Sequence, residues 1–269
     1  MLEISGKEIA QKIINRLKSE PKPEKILAVI LIGKNPASIS FLNQKEKIAK
    51  ELGIDFRIYK FPEEIKNDDL RKEVGKIASQ KPVGGVMAQL PLAEQINAQY
   101  VLNVIPREKD IDVLGERALG AFYNSRSPVL PPAVGVVQEI LQTTNYNIQN
   151  TKVAIMGLGF LIGKPITTWL IGKTKEIYLL DQGSDFEILK QVDLVISGVG
   201  QAGLIKPEML KNDAMIIDFG CSSDESGKIH GDFDSSEVGD LCYTPTPGGT
   251  GPILVAKLFE NFYKLNHVK

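Results

Sequence analysis

The feature that most limits this chain's fold is an alternation of short aliphatic or β-branched runs with longer stretches of helical spacing. The runs are Ile26–Ile32, Ile54–Phe61, Val83–Ala88, Val153–Met156, Ile177–Leu180, Leu194–Ser197 and Met215–Asp218. Most are apolar almost throughout, which suits strands covered on both faces, as in a parallel sheet. The stretches Lys7–Lys18, Ser38–Leu52, Asp68–Ser79, Val134–Gln142, Lys164–Ile171 and Pro252–Leu265 suit helices. Strand and helix in turn predict βαβ units and an α/β fold with largely parallel sheets. Ser127-Pro128-Val129-Leu130-Pro131-Pro132 interrupts the pattern, because proline neither donates to a ladder nor continues a helix. A length of 269 residues with 43% hydrophobic content can fill two cores, so we expect a domain transition near residue 130.

Charge and cysteine usage narrow the partners. The 32 basic and 33 acidic residues nearly cancel, which argues against nucleic acid or an anionic membrane and favours a small molecule. The first residues carry early charge and no apolar core of a secretory signal, and no stretch has the roughly 18 apolar residues of a membrane span. Two cysteines and two histidines form neither a disulfide framework nor a zinc-ligand spacing. The expectation is a cytoplasmic protein with no structural metal.

Two regions point to chemistry. Thr151–Met156 reads as a buried strand running into Gly157-Leu158-Gly159-Phe160-Leu161-Ile162-Gly163 and then a helix. That order suits a Rossmann phosphate site, where one glycine makes the turn, a second admits the pyrophosphate, and the helix N-terminus offers free N–H groups. The spacing is GxGxxxG, one residue longer than the usual fingerprint. Asp181 closes the next strand, where an acid can accept from a ribose 2′-hydroxyl and would repel a 2′-phosphate. It favours NAD over NADP unless Lys164 or Lys173 compensates. In the first half, Phe41 and Lys45 are four apart and share a helical face. Gln89 sits at the carboxyl end of a predicted strand, the edge at which open α/β sheets bind ligands, and Asp110 and Asp112 lie in a nearby acidic segment.

In order, these segments resemble the bifunctional methylenetetrahydrofolate dehydrogenase/cyclohydrolase family over nearly the whole chain. Gly33-Lys34-Asn35-Pro36-Ala37-Ser38 is similar to its opening strand-to-helix turn, and Lys45 falls where its catalytic lysine stands. Gln89-Leu90-Pro91-Leu92 and Lys109-Asp110-Ile111-Asp112 match its Gln-Leu-Pro-Leu and Lys-Asp-Val-Asp elements. Thr244-Pro245-Thr246-Pro247-Gly248-Gly249-Thr250-Gly251-Pro252 closely resembles its C-terminal signature.

The resemblance implies two α/β domains with a cleft between them: a catalytic, folate-binding domain over 1–130, completed by 246–269, and a Rossmann-type NAD(P)-binding domain over 131–245. It implies a folate substrate oxidised at its methylene bridge by NAD or NADP, hydrolysis of the methenyl product, and a homodimer. Lys45, Gln89 and Asp112 become the catalytic candidates. Phe41, Leu90, Pro91, Pro245, Pro247, Gly248, Gly249 and Gly251 become the substrate contacts. Gly157, Leu158, Gly159, Gly163, Asp181 and Cys221 become the cofactor contacts. A dehydrogenase of another small substrate, or a folate-binding paralogue without turnover, are the alternatives.

This chain also departs from the family. Phe41 replaces a tyrosine and lacks its hydroxyl, which Tyr59 or Tyr123 are candidates to replace. Pro131-Pro132-Ala133-Val134 replaces Pro-Cys-Thr-Pro. Gly157-Leu158-Gly159 replaces Gly-Arg-Ser, and Leu180-Asp181-Gln182 replaces Cys-His-Ser; both changes favour NAD. Val113 stands where a glycine follows the last aspartate, which predicts a reshaped substrate loop.

Overall fold

A computed structural model of the protein describes residues 2–224, 226–236 and 238–267. In chain order the elements are β1 (Leu2–Glu3), α1 (Gly6–Ser19), β2 (Ile26–Ile32), α2 (Pro36–Leu52), β3 (Asp55–Phe61), α3 (Asn67–Ser79), β4 (Val83–Ala88), α4 (Ala98–Leu102), α5 (Glu116–Tyr123), α6 (Pro132–Thr143), β5 (Lys152–Met156), α7 (Gly163–Leu170), β6 (Glu176–Leu180), β7 (Leu194–Ser197), β8 (Met215–Asp218), β9 (Ser222–Ser223), β10 (Ile229–His230), β11 (Cys242–Tyr243) and α8 (Thr250–His267). Every strand and helix expected from the sequence is present, with ends agreeing to within two residues. The chain divides into two compact units: Ile13–Pro132 with Val255–Lys269, and Met1–Lys12 with Ala133–Leu254. Among the described residues no helix is long and apolar enough to cross a membrane.

The unit built on residues 13–132 holds a parallel sheet in the order β3-β2-β4. Central β2 is buried at every position, which is why its sequence shows no alternation, whereas β3 at the edge alternates. Leu70, Val74, Ile77 and Ala78 of α3 form one helical stripe on this sheet's core. The chain leaves β2 for β3 on one side and returns through α3 to β4 on the other. The switch point therefore lies at the carboxyl ends of β2 and β4, directly before Gln89. The second half of α8 belongs here: the Asn261 side-chain amide donates to the carbonyls of Ile111 and Leu130, each at 2.8 Å. Gly85 lies flat against Phe262, and a Cβ there would come 2.6 Å from the ring.

The other unit holds a parallel sheet in the order β1-β11-β8-β7-β5-β6. Leu2 pairs with Cys242 and Glu3 with Tyr243, which ties the N-terminal residues to this unit. Here β5 has β6 on one side and β7 on the other, so a second switch point lies at the carboxyl ends of β5 and β7, beside Gly157 and Gly198.

Candidate active site

The segment before α2 sets the position of Lys45. Asn35 Oδ1 accepts the N–H of Ser38 at 3.1 Å, and Pro36 occupies the first helical position, where its missing N–H costs nothing. The helix then carries Phe41 and Lys45 one turn apart, with Phe41 42% exposed. Lys45 Nζ donates to Gln89 Oε1 at 2.9 Å, and Gln89 Nε2 donates to the Leu90 carbonyl at 2.8 Å. Since a carbonyl only accepts, the amide is fixed with its oxygen toward the lysine. Gln89 is buried, Leu90 is half-buried and Pro91 is exposed after a cis peptide bond.

The acidic segment is anchored from below. Asp110 pairs with Val86 as an isolated bridge, and its buried carboxylate accepts the N–H groups of Leu114 and Gly115 at 3.0 and 2.8 Å. The departure at Val113 does not change the backbone to a conformation ordinary for valine. Its φ is 57°, the left-handed region a glycine adopts freely. A left-handed non-glycine residue costs about 1–2 kcal/mol, while fully burying a valine side chain, as happens here, contributes about 1.5–3 kcal/mol. The turn after Asp112 is thus compatible with valine.

Burial pushes the Asp112 carboxyl up to about 7, with the nearby Asp110 charge adding to the rise and the Lys45 ammonium opposing it. Burial likewise lowers Lys45, against the pull of Asp112, and raises Asp110 to about 6. Two carboxyls are raised and one ammonium is lowered, so acids and base are brought toward one another, the pattern of a site that exchanges protons. Of the two candidate tyrosines for the missing Phe41 hydroxyl, Tyr59 packs against the sheet core and Tyr123 is 73% exposed at the end of α5.

In the other unit, β5 runs into the glycine turn. Gly157 has φ 81°, and a Cβ there would lie 2.8 Å from the Gly198 carbonyl oxygen; at Gly163 it would meet Gly157 O at 2.1 Å. At Gly159 a Cβ would meet no heavy atom within 4 Å, which leaves backbone open to a ligand. Gly157 and Asp181 line a cavity of about 470 Å³, together with Gln182, Gly183, Val199 and Gln201. Asp181 is exposed, and its Oδ1 accepts only the neighbouring Gln182 N–H among the described hydrogen bonds. Leu158, Gly159 and Gly163 continue the turn, and Cys221 is exposed just after β8. These features fit a dinucleotide: a tight turn, open backbone, a helix N-terminus and an acid one strand over.

The segment from Pro245 to Gly251 is fastened to this unit. Thr244 Oγ1 accepts the Asp218 N–H at 2.8 Å, Thr250 Oγ1 donates to the Asp218 carbonyl at 2.7 Å, and Gly249 N–H donates to Pro245 O at 2.7 Å. Gly6 packs directly on Gly249, and Gly248 has φ 108°. Pro247 and Gly251 are exposed, and the peptide before Pro247 is cis. One buried feature was not read from sequence: Asp218, which ends β8, and Asp232, which follows β10 and reaches Ser197 at the end of β7. Asp232 follows Gly231 in a stretch with no periodicity, so nothing local distinguishes it.

Residues 4–112 match the tetrahydrofolate dehydrogenase/cyclohydrolase catalytic domain, and residues 131–269 match the NAD(P)-binding domain of the same family. A bifunctional FolD protein of Staphylococcus epidermidis is 31% identical over 268 residues, spanning 96% of this chain and 94% of that protein. A crystal structure of the Campylobacter jejuni bifunctional FolD enzyme superposes with a TM-score of 0.93 at 31% identity, covering 97% of each chain. The Trypanosoma brucei enzyme, solved with NADP and an inhibitor, gives 0.92 at 26% identity, covering 98% of this chain and 97% of that one. With both family domains matched in sequence order and the fold superposing along nearly the full length, this chain belongs to the tetrahydrofolate dehydrogenase/cyclohydrolase family.

Proposed function

We propose that the protein oxidises methylenetetrahydrofolate to methenyltetrahydrofolate with a nicotinamide dinucleotide, and hydrolyses the methenyl product to formyltetrahydrofolate. The observation that carries this reading is the hydrogen bond from half-buried Lys45 to buried Gln89, beside Asp112. When bound, the nicotinamide ring supplies the hydride acceptor for the folate methylene carbon. Lys45 is the general acid/base of hydrolysis: as the amine it takes a proton from the water that adds to the methenyl carbon, and as the ammonium it returns one to the nitrogen that leaves. Burial lowers its proton affinity, which favours the amine over what an exposed lysine would show. Gln89 orients the lysine through its fixed amide oxygen. Asp112 accepts N–H groups of the pterin edge, and Phe41 offers a ring face to the aminobenzoate. Leu90 and Pro91, and the Pro245, Pro247, Gly248, Gly249 and Gly251 backbone, complete the substrate contacts in this reading.

Gly157, Leu158, Gly159, Gly163, Asp181 and Cys221 are assigned to the cofactor, and we infer NAD. Asp181 supports the choice, since its exposed carboxylate at the strand end is engaged only by the adjacent Gln182 N–H among the described hydrogen bonds, while Lys173, one cation that could offset it, lies 5.5 Å over the Trp169 ring. We further infer a cytoplasmic homodimer. Free Cys221 and Cys242 suit a reducing compartment, and exposed Leu179 on edge strand β6 with exposed Ile171 offers apolar surface to a second copy; light scattering tests the dimer.

The functional test is a spectrophotometric assay with methylenetetrahydrofolate and either nucleotide. Methenyl formation with NAD supports both inferences, preference for NADP removes the role of Asp181, and silence with both nucleotides overturns the activity.

A further inference from the structure

The loop after β7 borders the cavity that holds Gly157 and Asp181, through Val199, Gln201 and Leu204. Its backbone N–H groups do not face that cavity. Asp232, fully buried, takes three consecutive ones: Oδ2 accepts from Val199 at 2.8 Å, and Oδ1 accepts from Gly200 at 2.9 Å and Gln201 at 2.8 Å. Ser197 Oγ donates to Oδ2 at 2.6 Å. The carboxylate is itself held by its main chain, since its carbonyl accepts the Ile205 N–H at 2.8 Å and Gly231 O accepts the Gly203 N–H at 3.1 Å. Gly220 makes room for it, as a Cβ there would lie 2.2 Å from the Asp232 carboxyl carbon.

A buried carboxylate saturated by four donors fixes a loop more firmly than backbone pairing alone, because charge-assisted hydrogen bonds are the stronger kind and leaving their partners unmet in the interior is costly. With its N–H groups turned inward, the loop directs the half-exposed Val199 side chain at the cavity. Phosphate-binding N–H groups must therefore come from the Gly157–Gly163 turn, and the β7 loop supplies an apolar wall. The two segments are also in register, because Gly157 has no room for a Cβ against Gly198 O.

We propose that Asp232 is a positioning residue for dinucleotide binding, acting through the 199–201 loop and not by touching the cofactor. The proposal rests on the reading of this cavity as the nicotinamide-dinucleotide site. Asp232→Asn replaces one acceptor oxygen with a donor that faces N–H groups. We expect the dissociation constants of NADH and NADPH, read by the fluorescence of the reduced nicotinamide, to rise about tenfold or more. At saturating nucleotide, kcat for oxidation stays within about twofold, so the loss falls on KM. Failure of the wild-type protein to bind either nucleotide overturns the cavity reading. Tight binding by both wild type and variant overturns the role of Asp232. Hydrogen exchange on the wild-type protein gives the answer if the variant does not fold: the amides of Val199, Gly200 and Gln201 are expected to be protected without nucleotide, and exchange at the rate of an open loop would overturn the proposal.

Discussion

Asp112→Asn should make the protein more stable, and increasingly so as pH rises. A carboxyl whose folded pKa lies above its unfolded value is kept protonated by the fold, so stability falls as pH climbs from the unfolded value to the folded one. For Asp112 that window runs from the ordinary 3.8 to about 7. At about 1.4 kcal/mol per pH unit, the wild-type penalty is roughly 1.6 kcal/mol at about pH 5 and roughly 4.4 kcal/mol at about pH 8. An asparagine carries no such penalty. The amide also gains or loses packing energy, but that contribution is the same at both pH values and cancels in the difference. Asp110, raised to about 6, titrates in both proteins and largely cancels as well. The variant's advantage over wild type should therefore grow by about 1–3 kcal/mol between the two pH values, the lower figure allowing for lost attraction to Lys45. Urea unfolding of both proteins at each pH, followed by circular dichroism, reads this directly. A stability difference that is constant, or that shrinks toward high pH, would refute the argument that burial dominates the Asp112 environment.

Gln89→Leu removes the acceptor of the Lys45 ammonium, a hydrogen bond to charge worth about 1.5–3 kcal/mol, so methenyl hydrolysis should slow by roughly 10- to 150-fold. Because Gln89 stabilises the charged form, the rising limb of the pH–rate profile should also move to lower pH; an unmoved profile would separate Gln89 from Lys45. Asp181→Ser should raise use of NADP relative to NAD, and an unchanged ratio of kcat/KM values would remove the ribose contact.

The sequence was legible where physics is local. Buried β2 shows as an unbroken apolar run, the β5 strand announces its glycine turn, and Gln89 is found by standing at a strand's carboxyl end. What was missed depends on distant partners. Strands β1 and β11 are two residues each, too short for any period, and exist because Leu2 and Cys242 pair across the chain. Val113 combines a left-handed backbone with a buried side chain, which no local pattern signals. Asp232 gains its four donors only through the fold, from residues more than 30 positions away.

The proton-transfer role of Lys45 is the centre of this account, and Lys45→Met is its sharpest test, since methionine keeps the length and apolar stem without the amine. Methenyltetrahydrofolate hydrolysis by the variant should fall by about 10²–10⁴-fold while NADH binding, which belongs to the other unit, is retained. Hydrolysis at the wild-type rate by a folded, nucleotide-binding Lys45→Met protein would contradict it.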